Sequence, residues 1–198
     1  MSMTTTTLPG FSDAVHEPQR MFKGLLDAIS HPGEPYTPSV NITPPADLTP
    51  VCAAACLTLL DLETVVWLQP GLSAEVQYWL RFHTGCRFTK QPESATFAVV
   101  KDARTLPALH AFNMGTAEDP EASTTLLIQV QDFLSGELQQ LSGPGILNKV
   151  TLSPPLPGNF WNQWRQNQAA YPQGIDCFLF TQQSVVGLPR TVSLNPSN

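Results

Sequence analysis

Between Ile175 and Leu188 the chain carries two short apolar runs separated by a polar quartet, and few folds accommodate that pattern. Ile175, Cys177, Phe178, Leu179 and Phe180 form the first run, Val185, Val186 and Leu188 the second, with Thr181-Gln182-Gln183-Ser184 between them. A strand with one wet face alternates apolar and polar residues, whereas a strand covered on both faces reads as nearly continuous apolar sequence. The stretch therefore predicts a hairpin in the middle of a sheet that has helices on either side.

A chain of 198 residues lies in the single-domain range and buries enough surface to hold a core without staples. Only 13% of its residues are charged, against about 25% in a typical soluble chain, which leaves more surface for partners. The net charge is -6 and the ten Lys and Arg residues are scattered. Neutralising phosphates along a nucleic acid needs a basic face, so no nucleic-acid partner is expected. No apolar run approaches the length of a membrane span, and Met1-Ser-Met-Thr-Thr-Thr-Thr7 has neither the basic nor the apolar region of a signal peptide. The expectation is a cytoplasmic protein with no membrane partner. Its four cysteines, at 52, 56, 86 and 177, then read as reduced thiols, each in an apolar setting except Cys86.

Residues 1–12 are Thr-rich and aperiodic, which predicts a mobile tail ahead of one α/β domain over 13–198. Phe22, Leu25, Leu26 and Ile29 recur at helical spacing behind a Ser12 or Asp13 cap, and His31-Pro32-Gly33 stops that helix. The segment from Pro35 to Ile42 looks extended. Thr49-Pro50 is a cap with proline at the first helical position, and an almost wholly apolar, buried helix follows. Strands are predicted at Val65–Leu68, Thr96–Val100, Thr124–Val130, Leu138–Leu141 and Asn148–Leu152. Helices are predicted from Ser73 to His83, over Leu106–Phe112 and over Phe160–Ala169, and residues 115–123 form an acidic exposed loop. Strands alternating with helices argue for a three-layer α/β sandwich whose mixed sheet is parallel in part and ends in the antiparallel hairpin.

Arg81-Phe-His-Thr-Gly-Cys-Arg87 holds the densest reactive set, and Arg81, His83 and Arg87 are candidates for binding a phosphate or phosphonate group. The same residues also fit a helix end, where cations meet the negative pole of the dipole and His83 can bond the last carbonyls. Leu141-Ser-Gly-Pro-Gly-Ile146 resembles a phosphate-cradling loop, but Pro144 removes a backbone donor, so a turn between strands is the better reading. Cys52 and Cys56 share a helical face without a second pair or a histidine at ligand spacing, and read as core residues; no metal is expected. No nucleophile elbow is present. Of the lysines at 23, 90, 101 and 149, Lys101 alone is placed for a cofactor Schiff base, just past a strand, where a solvated strand end is the plainer reading. The histidines at 16, 31 and 110 read as surface or capping residues. No residue is assigned a catalytic role.

Several stretches taken in order carry more than any one of them. They are Phe22-Lys-Gly-Leu-Leu-Asp-Ala-Ile-Ser-His-Pro-Gly33, Leu57-Thr-Leu-Leu-Asp61, Val66-Trp-Leu68, Leu80-Arg-Phe-His-Thr84, Gln91-Pro-Glu-Ser-Ala-Thr-Phe-Ala98, Gly115-Thr-Ala117 with Pro120-Glu-Ala122, Leu141-Ser-Gly-Pro-Gly-Ile146, and Tyr171-Pro-Gln-Gly-Ile-Asp176 with Pro189-Arg-Thr191. Together they resemble the H subunit of the bacterial carbon-phosphorus lyase system, the PhnH family, which serves phosphonate utilisation. The resemblance implies a fold similar to the pyridoxal-phosphate-dependent transferases, without the cofactor, its lysine or its activity. It implies a homodimer in isolation and membership of a core complex with the G, I and J subunits. That complex supports formation of a ribose triphosphate phosphonate from ATP and phosphonate, ahead of radical cleavage on the J subunit.

Two functions follow as expectations. The first is a non-catalytic subunit that completes a phosphonate-processing complex. The alternative is a small-molecule enzyme, or a nucleotide or phosphonate binder, using Arg81, His83 and Arg87.

Overall fold

The computed structural model describes residues 8–195. Within them the order is α1 (His16–Ser30), α2 (Pro50–Leu59), β1 (Val65–Leu68), α3 (Ala74–Thr84), β2 (Arg87–Thr89), β3 (Phe97–Val100), β4 (Thr125–Gln129), β5 (Gln139–Ser142), β6 (Val150–Leu152), α4 (Phe160–Ala169), β7 (Asp176–Phe180), β8 (Val185–Leu188) and β9 (Ser193–Asn195). Six strands form one sheet in the order β2-β1-β3-β4-β7-β8. The first five run parallel and β8 runs antiparallel to β7. A separate antiparallel sheet has the order β6-β5-β9. The chain is thus α/β with a mixed sheet.

Successive residues of the central strands feed two cores. Val66, Val99, Leu127, Phe178 and Phe180 pack with α1, α2 and α3, while Trp67, Ala98, Val100, Leu126, Ile128, Cys177 and Leu179 pack with α4 and the small sheet. Covering both faces is what permits the near-continuous apolar runs, since neither side of the strand meets water. Cys86 departs from its expected polar setting: it is buried in the first core, and burial pushes its thiol up.

The hairpin forms in register, Phe178 against Gly187 and Phe180 against Val185. It does not lie mid-sheet, because β8 is an edge strand. Its runs are apolar nonetheless because the edge is covered: Tyr36 exchanges backbone hydrogen bonds with Val185 at 2.8 Å each way, and the Gly33 amide donates to the Gly187 carbonyl at 3.2 Å. A helix covers it as well. A Cβ at Gly187 would lie 2.4 Å from the Ala28 carbonyl oxygen, so α1 rests directly on the β8 backbone.

That close approach sets which stripe of α1 faces inward. Met21, Gly24, Leu25 and Ala28 are buried, whereas Phe22 and Leu26, expected inside from their spacing, are half exposed. Gly24 belongs on the inner face because a Cβ there would lie 2.0 Å from the Tyr36 ring, while Met21 and Leu25 fill the first core beside it. At the start of α1 the Asp13 carboxylate accepts from the Val15 and His16 amides, and these bonds hold its pKa down to about 2.

Other expectations hold in kind. Thr49 caps α2 by accepting from the Cys52 amide, and Gly85 ends α3 in the left-handed conformation with φ 72°. The predicted helix over Leu106–Phe112 shrinks to a 3-10 turn at Leu109–Ala111, since Pro107 disfavours helical backbone at the residue before it. The predicted strands near 138–141 and 148–152 leave the main sheet for the small one. Of the expected tail, residues 1–7 lie outside the described residues. Leu8 and Phe11 pack on the first core, where the Leu8 carbonyl accepts from the Trp79 and His83 rings. Among the described residues no helix is long and apolar enough to cross a membrane.

Candidate functional site

Parallel strands deliver their carboxyl ends to one edge of a sheet, and ligands of such folds bind there, outside the strand whose neighbours continue the chain in opposite directions. Here that strand is β1, with β2 on one flank and β3 on the other. On the same edge, next to β1, the loops leaving β3 and β4, the loop entering α2 and the tip of the β7–β8 hairpin enclose a cleft of about 570 Å³.

Two buried glutamines hold its loops in place, Gln129 at the cleft wall and Gln69 behind it. Gln69, just past β1, accepts through Oε1 from the Lys101 and Asp102 amides at 2.9 and 2.8 Å, and donates through Nε2 to the Asp102 carbonyl and Thr105 Oγ1. Gln129, the last residue of β4, accepts from the Thr49 amide at 2.6 Å and donates to the Asp47 carbonyl at 2.9 Å. Each side chain mimics a strand edge for a loop that has none, so every buried polar atom of the amide is used. Residue-type reasoning passed over both. The available signal was a glutamine closing an apolar strand, as in Val65-Val-Trp-Leu-Gln69 and Leu126-Leu-Ile-Gln129.

Two ion pairs line the cleft. Lys101 Nζ pairs with Asp47 Oδ1, and Asp47 Oδ2 accepts from the Ser73 amide at 2.8 Å. The Lys101 hydrogen bond, then the Ser73 amide, lowers the Asp47 pKa. Arg104 grips Asp102 through Nε and Nη2 at 3.0 and 2.8 Å, which lowers the Asp102 pKa in turn. Lys101, the lysine singled out by its place after a strand, is thus tied to a carboxylate at the cleft wall.

The three residues of the Arg81–Arg87 segment go to separate partners. Arg81 sets its guanidinium carbon 5.2 Å from the Phe88 ring centroid and lines a second cleft, of about 470 Å³, beside Lys90. His83 Nε2 lies 3.0 Å from the Leu8 carbonyl, with its ring edge-on to Trp79. Arg87 Nη2 donates to the Glu63 carbonyl at 2.9 Å. Near the ends of α1, His16 pairs with Asp13 and His31 Nδ1 reaches the Asp27 carbonyl.

The remaining motifs are structural joints. Gly145 of the Leu141–Ile146 turn packs so tightly that a Cβ would lie 2.1 Å from the Ser30 carbonyl oxygen, so this stretch closes onto the end of α1. Cys52 and Cys56 are fully buried in the first core, with the Cys56 thiol pushed well up by its bond to Cys52 and by burial. Among the described residues no three His, Cys, Asp or Glu side chains group as a metal site. At the amino ends of β4 and β7, Arg190 pairs with Asp176 at 2.5 Å and donates to Ser123 Oγ and to the Pro120 and Pro172 carbonyls. The acidic loop, the Tyr171–Asp176 segment and the Pro189–Thr191 segment meet there.

Comparison with known proteins agrees with that ordered set of stretches. A sequence model of the family described as bacterial phosphonate metabolism protein (PhnH) matches residues 9–195. The alpha-D-ribose 1-methylphosphonate 5-triphosphate synthase subunit PhnH of Rhizobium meliloti (strain 1021) is 38% identical over 186 residues, covering 93% of each chain. HtxG of Stutzerimonas stutzeri, provisionally named a C-P lyase subunit protein, is 30% identical over 178 residues, 89% of this chain and 85% of the relative. With near-complete coverage on both sides, the chain belongs to the PhnH family of bacterial phosphonate metabolism proteins.

Proposed function

We propose that the chain is a non-catalytic subunit of a carbon-phosphorus lyase core complex, supporting formation of ribose triphosphate phosphonate from ATP and phosphonate before the carbon-phosphorus bond is cut. The observation that carries this reading is the match over nearly the whole chain to a relative named as a synthase subunit. Two features support it. The stretches that carry the family resemblance meet at packing joints such as Gly145 on Ser30 and Arg190 on Pro120. Apolar side chains also remain exposed on two helices, Phe22 and Leu26 on α1 and Tyr78 and Phe82 on α3, as a chain with partners to cover them would carry. The partners are a second copy of the chain and the G, I and J subunits, in the cytoplasm. The fold belongs with the pyridoxal-phosphate-dependent transferases but works without that cofactor.

Affinity capture of the tagged chain from phosphate-starved cells, followed by sedimentation, tests the reading. The expected result is a fixed-ratio complex with the other subunits, and a dimer once the chain is isolated. Recovery of the chain alone from cells actively degrading phosphonate would overturn it. The alternative, a small-molecule binder using Arg81, His83 and Arg87, draws on one observation: Arg81 lines a cleft with Lys90.

A further inference from the structure

We propose that the cleft at the carboxyl ends of β3 and β4 binds a polyphosphorylated small molecule, with Lys101 and Arg104 as its anion ligands. Its volume, about 570 Å³, falls within the roughly 300 to 1,000 Å³ of small-molecule sites.

The orientation of the two ion pairs carries the inference. Lys101 is 45% exposed against 18% for Asp47, and Arg104 is 84% exposed against 36% for Asp102. In both pairs the carboxylate is turned toward the protein, where it also accepts a backbone amide, Ser73 for Asp47 and Arg104 for Asp102. The cation is the member that meets solvent. An ammonium has three donors and a guanidinium five. With one and two of these spent on the aspartates, each cation keeps donors for a ligand. A cation aimed by a carboxylate behind it is also pre-ordered, so less side-chain freedom is lost on binding.

Rigidity comes from the buried glutamines. Gln69 fixes the amides of Lys101 and Asp102, and Gln129 fixes the Asp47–Thr49 turn from which α2 starts. The class of ligand follows from charge and from the presence of two cations in one cleft. The four ionic groups sum to zero, so no strong field draws a lone anion. A chain of linked phosphoryl groups engages both cations at once, and the second contact forms at high effective concentration. Anionic groups there also meet the positive end of the α2 dipole.

The experiment uses the whole chain, alone or in its complex, and inorganic tripolyphosphate as the probe, with sulfate at matched ionic strength as the control. A ligand that binds only the folded state raises the melting temperature as its concentration passes Kd. The expected result is a saturable rise with tripolyphosphate beyond that with sulfate. Lys101→Met and Arg104→Gln should each weaken it about tenfold, the loss of one charge-assisted contact, while Lys101→Arg retains it. Arg81→Ala should leave it intact. No rise beyond the sulfate control, or one untouched by both cleft substitutions, would overturn the proposal. So would a rise that only Arg81→Ala abolishes, which would place the anion in the second cleft. Direct calorimetric titration of the wild type decides the matter if a variant fails to fold. The proposal stands apart from the subunit reading, because capture of partners and tripolyphosphate binding can fail independently.

Discussion

The two ends of the main sheet each hold an arginine gripping an aspartate, and they use it in opposite ways. At the amino end Arg190 is 12% exposed, and it donates to Asp176, Ser123, Pro120 and Pro172, so its fork is spent on two other segments of its own chain. At the carboxyl end Arg104 is 84% exposed and holds Asp102 alone. A saturated, buried guanidinium is part of the fold, because removing it strands a carboxylate and several carbonyls. An unsaturated, wet one contributes little to stability and keeps donors for something else. Degree of use, not residue type, separates the joint from the site.

Substitution at the joint gives the largest expected effect. Arg190→Ala should lower stability by about 3 kcal/mol, because it leaves Asp176 without its partner and unpins the Pro120 loop. A shift of the urea midpoint at constant slope measures it, and a loss under about 1 kcal/mol would erase the contrast. An intermediate effect belongs to the cleft wall. Gln129→Ala should cost about 2 kcal/mol, since the Thr49 amide and Asp47 carbonyl lose a buried partner. The same variant should show faster amide exchange in the Asp47–Thr49 turn, and unchanged exchange there would mean the turn is held by other contacts. Smallest is Arg104→Ala, which should leave the urea midpoint unmoved. A clear destabilisation would show that Arg104 belongs to the fold as Arg190 does.

Several elements were legible because the physics behind them is local. Thr49-Pro50 before an apolar run specifies a capped, buried helix, and the observed α2 is buried across Val51–Cys56. Phe160–Ala169 was readable to the residue, since Phe160, Trp161 and Trp164 share a helical face and all are buried. The candidate site was less legible. Lys101 stood out by its place after a strand, but its aspartate partner lies 54 positions earlier in the chain. Arg81, His83 and Arg87, adjacent in sequence, turn to Phe88, Leu8 and Glu63 respectively.

By itself, the sequence determined the α/β class, the fully covered central strands, the hairpin and, through ordered motifs, the family. Each of these follows from residue periodicity or from short contiguous signatures. Only the tertiary structure decided that the hairpin ends at a covered edge, that α1 turns Gly24 and Ala28 inward, and that Gln69 and Gln129 fasten the cleft. Those outcomes depend on how closely two backbones approach and on hydrogen bonds between residues 32 to 82 positions apart. A pattern confined to one segment carries no record of either.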